Sequence, residues 1–388
     1  MTDASPTGQF NYPSAYRIGA GRIAELPSVC RDVGLSRPLV VTDPGIVGLD
    51  WFPPVVAALE ASGLAPLVFS DIDANPAVSH VDAGVAAARA HRSDGLVLLG
   101  GGSAMDAGKC VALLVDNPGG VLDYEDEGDN WKRADGAKVL PSIAIPTTAG
   151  TGSEVGRAAV IVDPSDHNKK IIFHPAMQPD AVIADPELTR GLPSRLTAAT
   201  GMDALAHCFE AFCAPGYHPM ADGIALEGMR LIAENLVVAT QDGDDLTART
   251  HLLMAASMGA TAFQKGLGLI HALSHPVGGL TGLHHGTANA IFQPYVMLHN
   301  RPVIEDRMPR VAQAIGIDGG FDDVLAWTIT LRRRLGLPGD LAGVVEEAQI
   351  PELVRMASED PSLVTNPKPC SLDEIEDVLR RAIAGDLR

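Results

Sequence analysis

Four histidines fall within fifteen residues, His271, His275, His284 and His285, in a chain that has twelve in all. They lie in the run HALSHPVGGLTGLHH, and upstream GMDALAHCFEAF sets Asp203 and His207 four residues apart. Residues four apart on a helix share a face, so Asp203 and His207 can hold one ion together, and His271 and His275 repeat the spacing. Pro276, Gly278 and Gly279 are expected to break the second helix and let the chain bring His285 back. Asp203, His207, His271 and His285 then make one carboxylate and three imidazoles, a ligand set suited to a divalent transition metal. An acid in mid-helix between methionine and alanine is costly unless paired or metal-bound. Cys208, next to His207, points about 100° away from it on a helix and is expected to pack rather than ligate.

A second chemistry precedes this one. LVLLGGGSAMDAGK carries Gly100, Gly101 and Gly102 to the end of an apolar run, with Ser103 next and Asp106 in the first turn of a following helix. Glycines let backbone N–H groups approach a pyrophosphate, and a helix N-terminus adds partial positive charge. The pattern is neither GxGxxG nor GxxxxGK[ST], and an ordinary strand-to-helix turn looks similar. PTTAGTGSE at 146–154 adds the hydroxyls of Thr147, Thr148, Thr151 and Ser153 after another strand. Both loops should lie at the carboxyl edge of a sheet, where ligands bind in α/β folds. Asp43, in VTDPG at the end of an early strand, can accept hydrogen bonds from a ribose 2′-OH and would repel a 2′-phosphate, which points to NAD(H). Aspartate at such a place also caps helices and turns.

These loops need a sheet, and the first half supplies its parts. Apolar runs at 38–43, 65–72, 95–103, 138–146 and 181–188 read as strands, and 51–63, 80–94 and 104–115 as helices. The alternation implies βαβ units and a mostly parallel sheet. After the TRGLPSR turn, strand signals become rare and helical periodicity takes over. The expected division is a dinucleotide-binding α/β domain, 1–191, and a helical metal-binding domain, 192–388. The segment DYEDEGDNW (123–131) reads as a solvated acidic loop.

Composition narrows the class of partner. The 388 residues are long for one core, and 46% hydrophobic with 20% charged residues is a globular balance. A net charge of −19 argues against nucleic acid and anionic membranes, which require basic patches. No apolar run approaches the roughly 18 residues of a membrane span. The opening MTDASPTGQFNYPSAYRIG lacks the basic and apolar regions of a secretory leader. Five scattered cysteines without a CxxC pair suggest reduced thiols in a cytoplasmic protein. A homodimer or larger assembly is the expected state for an enzyme of this size.

On GGGSAMD at 100–106, PTTAGTGSE at 146–154, TAATGMDALAHCFEAF at 197–212 and HALSHPVGGLTGLHHGTANA at 271–290, nearly the whole chain resembles the iron-containing (group III) alcohol dehydrogenases. The resemblance implies an N-terminal Rossmann-like domain with a parallel sheet, an all-helical C-terminal domain and an active cleft between them. It implies Asp203, His207, His271 and His285 as metal ligands, all in register, whereas maleylacetate reductases have lost theirs. His275 matches a family position near the nicotinamide and is a candidate for proton relay or cofactor positioning. Lys169 or Lys170, in HNKKIIFHP, resembles a lysine near the cofactor, and His174 stands where relatives often carry a small residue. His284 is expected at the surface or behind the ligands, and Phe212, Phe263 and the YHPM turn at 217–220 as pocket lining or core.

The expected reaction is hydride transfer between NAD(H) and a primary alcohol or aldehyde, with Fe²⁺ as metal and Zn²⁺ chemically adequate. Within the same fold the alternatives are a glycerol-dehydrogenase-like zinc enzyme and a dehydroquinate-synthase-like lyase, although cations for a phosphorylated substrate are few. From other classes, a metal-dependent hydrolase or a non-catalytic nucleotide binder would also carry a metal cluster and a glycine loop.

Overall fold

Short apolar runs become strands when both of their faces can be covered, and the runs at 38–41, 95–100, 142–146 and 181–184 are buried throughout. In the computed structural model, which describes residues 14–165 and 168–388, residues from 14 to 191 form one compact unit and 192–388 another. The first contains β1 (Ala15–Ile18), α1 (Leu26–Val33), β2 (Pro38–Val41), α2 (Pro44–Val47), α3 (Phe52–Ala61), β3 (Leu67–Phe69) and α4 (Val78–His91). It continues through β4 (Gly95–Gly100), α5 (Gly102–Leu114), β5 (Ser142–Pro146), β6 (Ala158–Val162), β7 (Lys169–Phe173) and β8 (Ala181–Ala184). Six strands make one parallel sheet in the order β1-β8-β5-β4-β2-β3.

Alternate residues serve opposite faces, as a strand requires. Leu39, Val41, Leu96 and Leu98 pack with Val81 and Val85 of α4 and Met105 and Val111 of α5. Val40, Val97, Leu99, Ile143 and Ile145 pack with Leu26 and Val29 of α1 and Leu59 of α3.

Two features depart from the expected pattern. β6 and β7 form an antiparallel hairpin outside the parallel sheet; β6 is apolar throughout, whereas β7 opens on Lys169 and Lys170. The acidic loop is not simply solvated, because Tyr124 is buried, Asp126 N–H donates to the Ile171 carbonyl and Glu125 pairs with Lys170 at 3.3 Å.

The second unit is helical: α6 (Ser194–Cys213), α7 (Pro219–Gln241), α8 (Leu246–Ala262), α9 (Leu269–Thr281), α10 (His285–Ile304), α11 (Met308–Ala314), α12 (Phe321–Arg334), α13 (Ile350–Glu359) and α14 (Leu372–Ala384). α6 is buried along most of its length and packs on α7, α8 and α10. Glycine permits the close approach: a Cβ at Gly201 would stand 2.1 Å from Leu236 Cδ1. The expected break at Pro276 does not occur. α9 runs through it to Thr281 and stops at Gly282, whose φ of 72° is left-handed and whose N–H donates to the Gly278 carbonyl at 3.1 Å. The left-handed residue, not the proline, ends the helix. No helix among the described residues is long and apolar enough to cross a membrane.

Candidate metal centre and cofactor loops

The centre is built on α6, because its i and i+4 positions bring Asp203 and His207 to one face with Nε2 3.7 Å from Asp203 Oδ1. α9 brings His271 Nε2 to 3.7 Å from the same oxygen. The two rings stack with centroids 4.6 Å apart. Ligand atoms of Asp203, His207 and His271 all lie within 4.8 Å of one another, and all three residues are buried. His285, the first residue of α10, adds Nε2 at 3.4 Å from Asp203 Oδ1. It can come so near because Gly286 follows it: a Cβ there would stand 2.1 Å from the Ala199 carbonyl oxygen of α6.

A buried carboxylate among imidazoles is strongly polarised. Burial opposes charge on Asp203, but His207, His285 and His271 outweigh it and hold this carboxyl well below the usual range. Burial also works against charge on His271, yet its hydrogen bonds to the Asp203 and Glu210 carboxylates push it up to about 9. One anionic oxygen ringed by three imidazole Nε2 atoms is a donor set that fits a divalent transition ion.

Hydrogen bonds behind these side chains orient them. Glu210 Oε2 lies 2.5 Å from His271 Nδ1, while Oε1 accepts the Ile270 N–H at 2.7 Å. An ionised carboxylate only accepts, so Nδ1 carries the proton and Nε2 keeps its lone pair for an ion. Asn289, one turn beyond His285, donates from Nδ2 to Asp203 Oδ1 at 2.7 Å and lies 3.3 and 3.2 Å from Nε2 of His271 and His285.

His275 adjoins this cluster. Its ring stacks on that of His285, centroids 5.2 Å apart, and its Nδ1 lies 2.7 Å from Asp360 Oδ2. His284 is exposed. Phe263 packs on the His207 ring at 5.1 Å, whereas Phe212 is core, covered by the Arg307 guanidinium at 4.3 Å. In the YHPM turn Tyr217 and Met220 are exposed, and His218 caps α7 by accepting the Ala221 N–H. Cys208 is packed where α7 and α8 come close, against Gly228 and Gly259, and burial pushes its thiol up to about 12.

In the other unit, β4 and β5 end side by side with Gly100 in register with Pro146. The two loops therefore leave the same sheet edge, and Thr147 N–H donates to the Gly100 carbonyl at 3.0 Å. A Cβ at Gly102 would stand 2.7 Å from Thr151 Cγ2, and one at Gly101 3.4 Å from Thr148. Gly100, Gly101, Gly102, Thr147, Thr148 and Thr151 thus share one patch at the start of α5. The side chains of Asp106 and Ser153 meet beside this patch. Ser153 Oγ donates to Asp106 Oδ1 at 2.5 Å and Val160 N–H to Oδ2 at 2.9 Å. Buried Lys109 completes the brace, 3.4 Å from Asp106 and bonded to the carbonyls of Ser153 and Ala158. These residues clamp the threonine loop to α5 and the hairpin, because buried polar groups must find partners.

Ser103 Oγ donates to the Ala74 carbonyl. Asp43 closes β2 and caps α2, accepting the Ile46 N–H at 3.1 Å. Lys169 and Lys170 lie on β7, Lys170 in its pair with Glu125. His174 caps a turn through the Ala176 N–H, which accounts for a histidine at that place.

Glu210, Asn289 and Asp360 did not emerge from the sequence. Glu210 is three residues after His207 and Asn289 four after His285, so the helical period could have found both. Asp360 lies 85 residues from its partner and had no such signal.

Residues 13–186 match the family "Iron-containing alcohol dehydrogenase", and residues 197–383 match "Fe-containing alcohol dehydrogenase family, C-terminal". A 4-hydroxybutyrate dehydrogenase of Cupriavidus necator is 40% identical over 384 residues, 96% of this chain and 99% of that protein. A solved 1,3-propanediol oxidoreductase superposes with a TM-score of 0.91 at 30% identity, covering 97% of this chain and all of that one. Sulfoacetaldehyde reductase from Bifidobacterium kashiwanohense, solved in complex with NAD⁺, gives 0.90 at 30% identity over 98% of this chain and 100% of that one.

Proposed function

The chain belongs to the iron-containing alcohol dehydrogenase family, and from that premise we propose that it moves a hydride reversibly between C4 of NAD(H) and a primary alcohol or its aldehyde. Asp203, His207, His271 and His285 would hold the metal, Fe²⁺ by family and Zn²⁺ as the adequate substitute. The observation that carries this reading is the convergence of three imidazole Nε2 atoms on one buried carboxylate oxygen. A divalent ion at such a site supplies Lewis acidity, which acidifies an alcohol and polarises a carbonyl.

The protein's own residues do the rest. Glu210 holds His271 with Nε2 turned to the ion, and Asn289 steadies the Asp203 oxygen. The glycines at 100–102 with Thr147, Thr148 and Thr151 receive the pyrophosphate, and Asp106 with Ser153 keeps that loop in place. Asp43 reads the ribose hydroxyl, Lys169 or Lys170 lies near the cofactor, and His275 relays a proton. The three relatives are named for molecules with a terminal hydroxyl or aldehyde, which supports that substrate class. Among the described residues the cysteines are free thiols, in keeping with a cytoplasmic enzyme, and a homodimer or larger assembly is the expected state. The lyase alternative has less support, since both halves match the dehydrogenase family.

Loss of NADH absorbance on adding a primary aldehyde, with and without chelator, tests the reaction. His271→Ala and His285→Ala should abolish tight metal binding and turnover while NADH binding persists. Full metal occupancy in both variants by elemental analysis, or turnover indifferent to chelator, would refute the assignment.

A further inference from the structure

His275 is anchored from far along the chain. Asp360 Oδ2 lies 2.7 Å from its Nδ1, and Asp360 Oδ1 accepts the Ser362 N–H at 2.8 Å. Both side chains are nearly buried, 14% and 11% exposed. The segment bearing Asp360 is itself tied to the start of α9. Thr365 Oγ1 accepts the Leu267 N–H at 3.0 Å and donates to the Leu267 carbonyl at 2.9 Å. Asn366 Oδ1 accepts the Leu269 N–H at 3.1 Å. Residues 360–366 thus grip α9 in two places, at its entry and at the fourth residue beyond His271.

We propose that Asp360 is the positioning residue of His275. Its carboxylate makes Nδ1 the protonated nitrogen and leaves the lone pair on Nε2. The proposal rests on the reading of His275 as proton relay. In alcohol oxidation the substrate gives a hydride to NAD⁺ and its hydroxyl proton to Nε2, and the imidazolium formed is balanced by the carboxylate behind it.

The two oxygens of Asp360 are not equivalent, and this makes a clean test. The Ser362 N–H can only donate. In Asp360→Asn the amide oxygen must therefore stay with Ser362, which turns the NH₂ group toward His275 Nδ1. That nitrogen must then accept, and the proton moves to Nε2, where it blocks the relay. The bond to Ser362 survives, so the turn and the fold are retained.

On the holoenzyme, Asp360→Asn should lower kcat by about 10²-fold, with KM for NADH and metal content unchanged. In a His275→Ala background the same substitution should change kcat less than about twofold, since coupled residues are not additive. In the zinc-loaded enzyme, ¹⁵N spectra of labelled histidine should show His275 as the Nδ1–H form in the parent and the Nε2–H form in the variant. Equal losses in both backgrounds would overturn the proposal, as would an unchanged kcat in Asp360→Asn when His275→Ala is impaired. If His275→Ala is itself fully active, the relay reading fails and the spectra decide the positioning: a switch of tautomer upholds it, and no switch overturns it.

Discussion

Replacing Glu210 by glutamine changes one atom and should weaken metal binding more at high pH than at neutral pH. Glu210 Oε1 takes the Ile270 N–H at 2.7 Å, and Oε2 faces His271 Nδ1 at 2.5 Å. The backbone donor keeps the oxygen of a glutamine, so its NH₂ faces Nδ1 and drives the proton to Nε2, the ligand atom. Binding an ion then requires two facing donors at Nδ1 or an amide turned away from Ile270. A buried donor left unmet costs about 1–3 kcal/mol, or about 10- to 100-fold in affinity, the range found for partners behind metal ligands.

A second effect opposes the first. With its pKa raised to about 9 by Asp203 and Glu210 against burial, His271 is protonated below that pH. An ion must displace the proton, so the parent's affinity rises with pH up to about 9 and levels off above it. At pH 7 the proton weakens binding about 100-fold, from two pH units. Glutamine removes one raising group, which lessens that competition at pH 7 but has no effect above pH 9. The parent-to-variant affinity ratio should therefore be about 10- to 100-fold at pH 9.5 and smaller at pH 7. Competition for Zn²⁺ against a chromophoric chelator at both values reads it directly. A variant as tight as the parent at pH 9.5, or a parent whose affinity is flat from pH 7 to 9, would refute the reasoning.

If Asp43 reads the ribose, Asp43→Gly should raise the use of NADPH relative to NADH by about tenfold or more, because a carboxylate there would repel a 2′-phosphate, while glycine sacrifices only a few tenths of a kcal/mol as a cap. A parent enzyme that already prefers NADPH would remove Asp43 from the ribose. Gly286→Ala places a Cβ 2.1 Å from the Ala199 carbonyl oxygen, so α10 must lift from α6. Overpacking of this kind costs about 1–3 kcal/mol, and melting temperature and metal content should fall together; if neither moves, Gly286 is not what lets His285 approach.

What the sequence could tell was set by the range of each interaction. Asp203 and His207 were legible because one helical turn places them together, whatever the rest of the fold does. The parallel sheet was legible because β2, β4, β5 and β8 are short apolar runs buried on both faces; β1, with Tyr16 and Arg17, and β7, which opens on Lys169 and Lys170, lack that signature. Pro276 misled because a proline in a helix is usually a stop, and here left-handed Gly282 takes that role. The partners of Asp106, Ser153 and Val160, are 47 and 54 residues away, beyond any local pattern. Asp360 meets His275 across 85 residues, and only the folded chain brings them together.

The centre uses one device twice. Behind His271 stands Glu210, and behind His275 stands Asp360, each holding Nδ1 with one oxygen and a backbone N–H with the other. The backbone bond is what makes the device specific. A free carboxylate could turn to either tautomer of a neighbour, whereas one pinned by a main-chain donor offers a single fixed acceptor. The pins also act on the helix. Glu210 holds the first turn of α9 through Ile270, where the helix dipole favours an anion, and Asn366 holds Leu269 beside it. α9 is therefore fixed in rotation as well as position, and rotation decides where two histidines four residues apart will point. Loss of either carboxylate should disturb one histidine and spare the other, because each pin has its own backbone anchor.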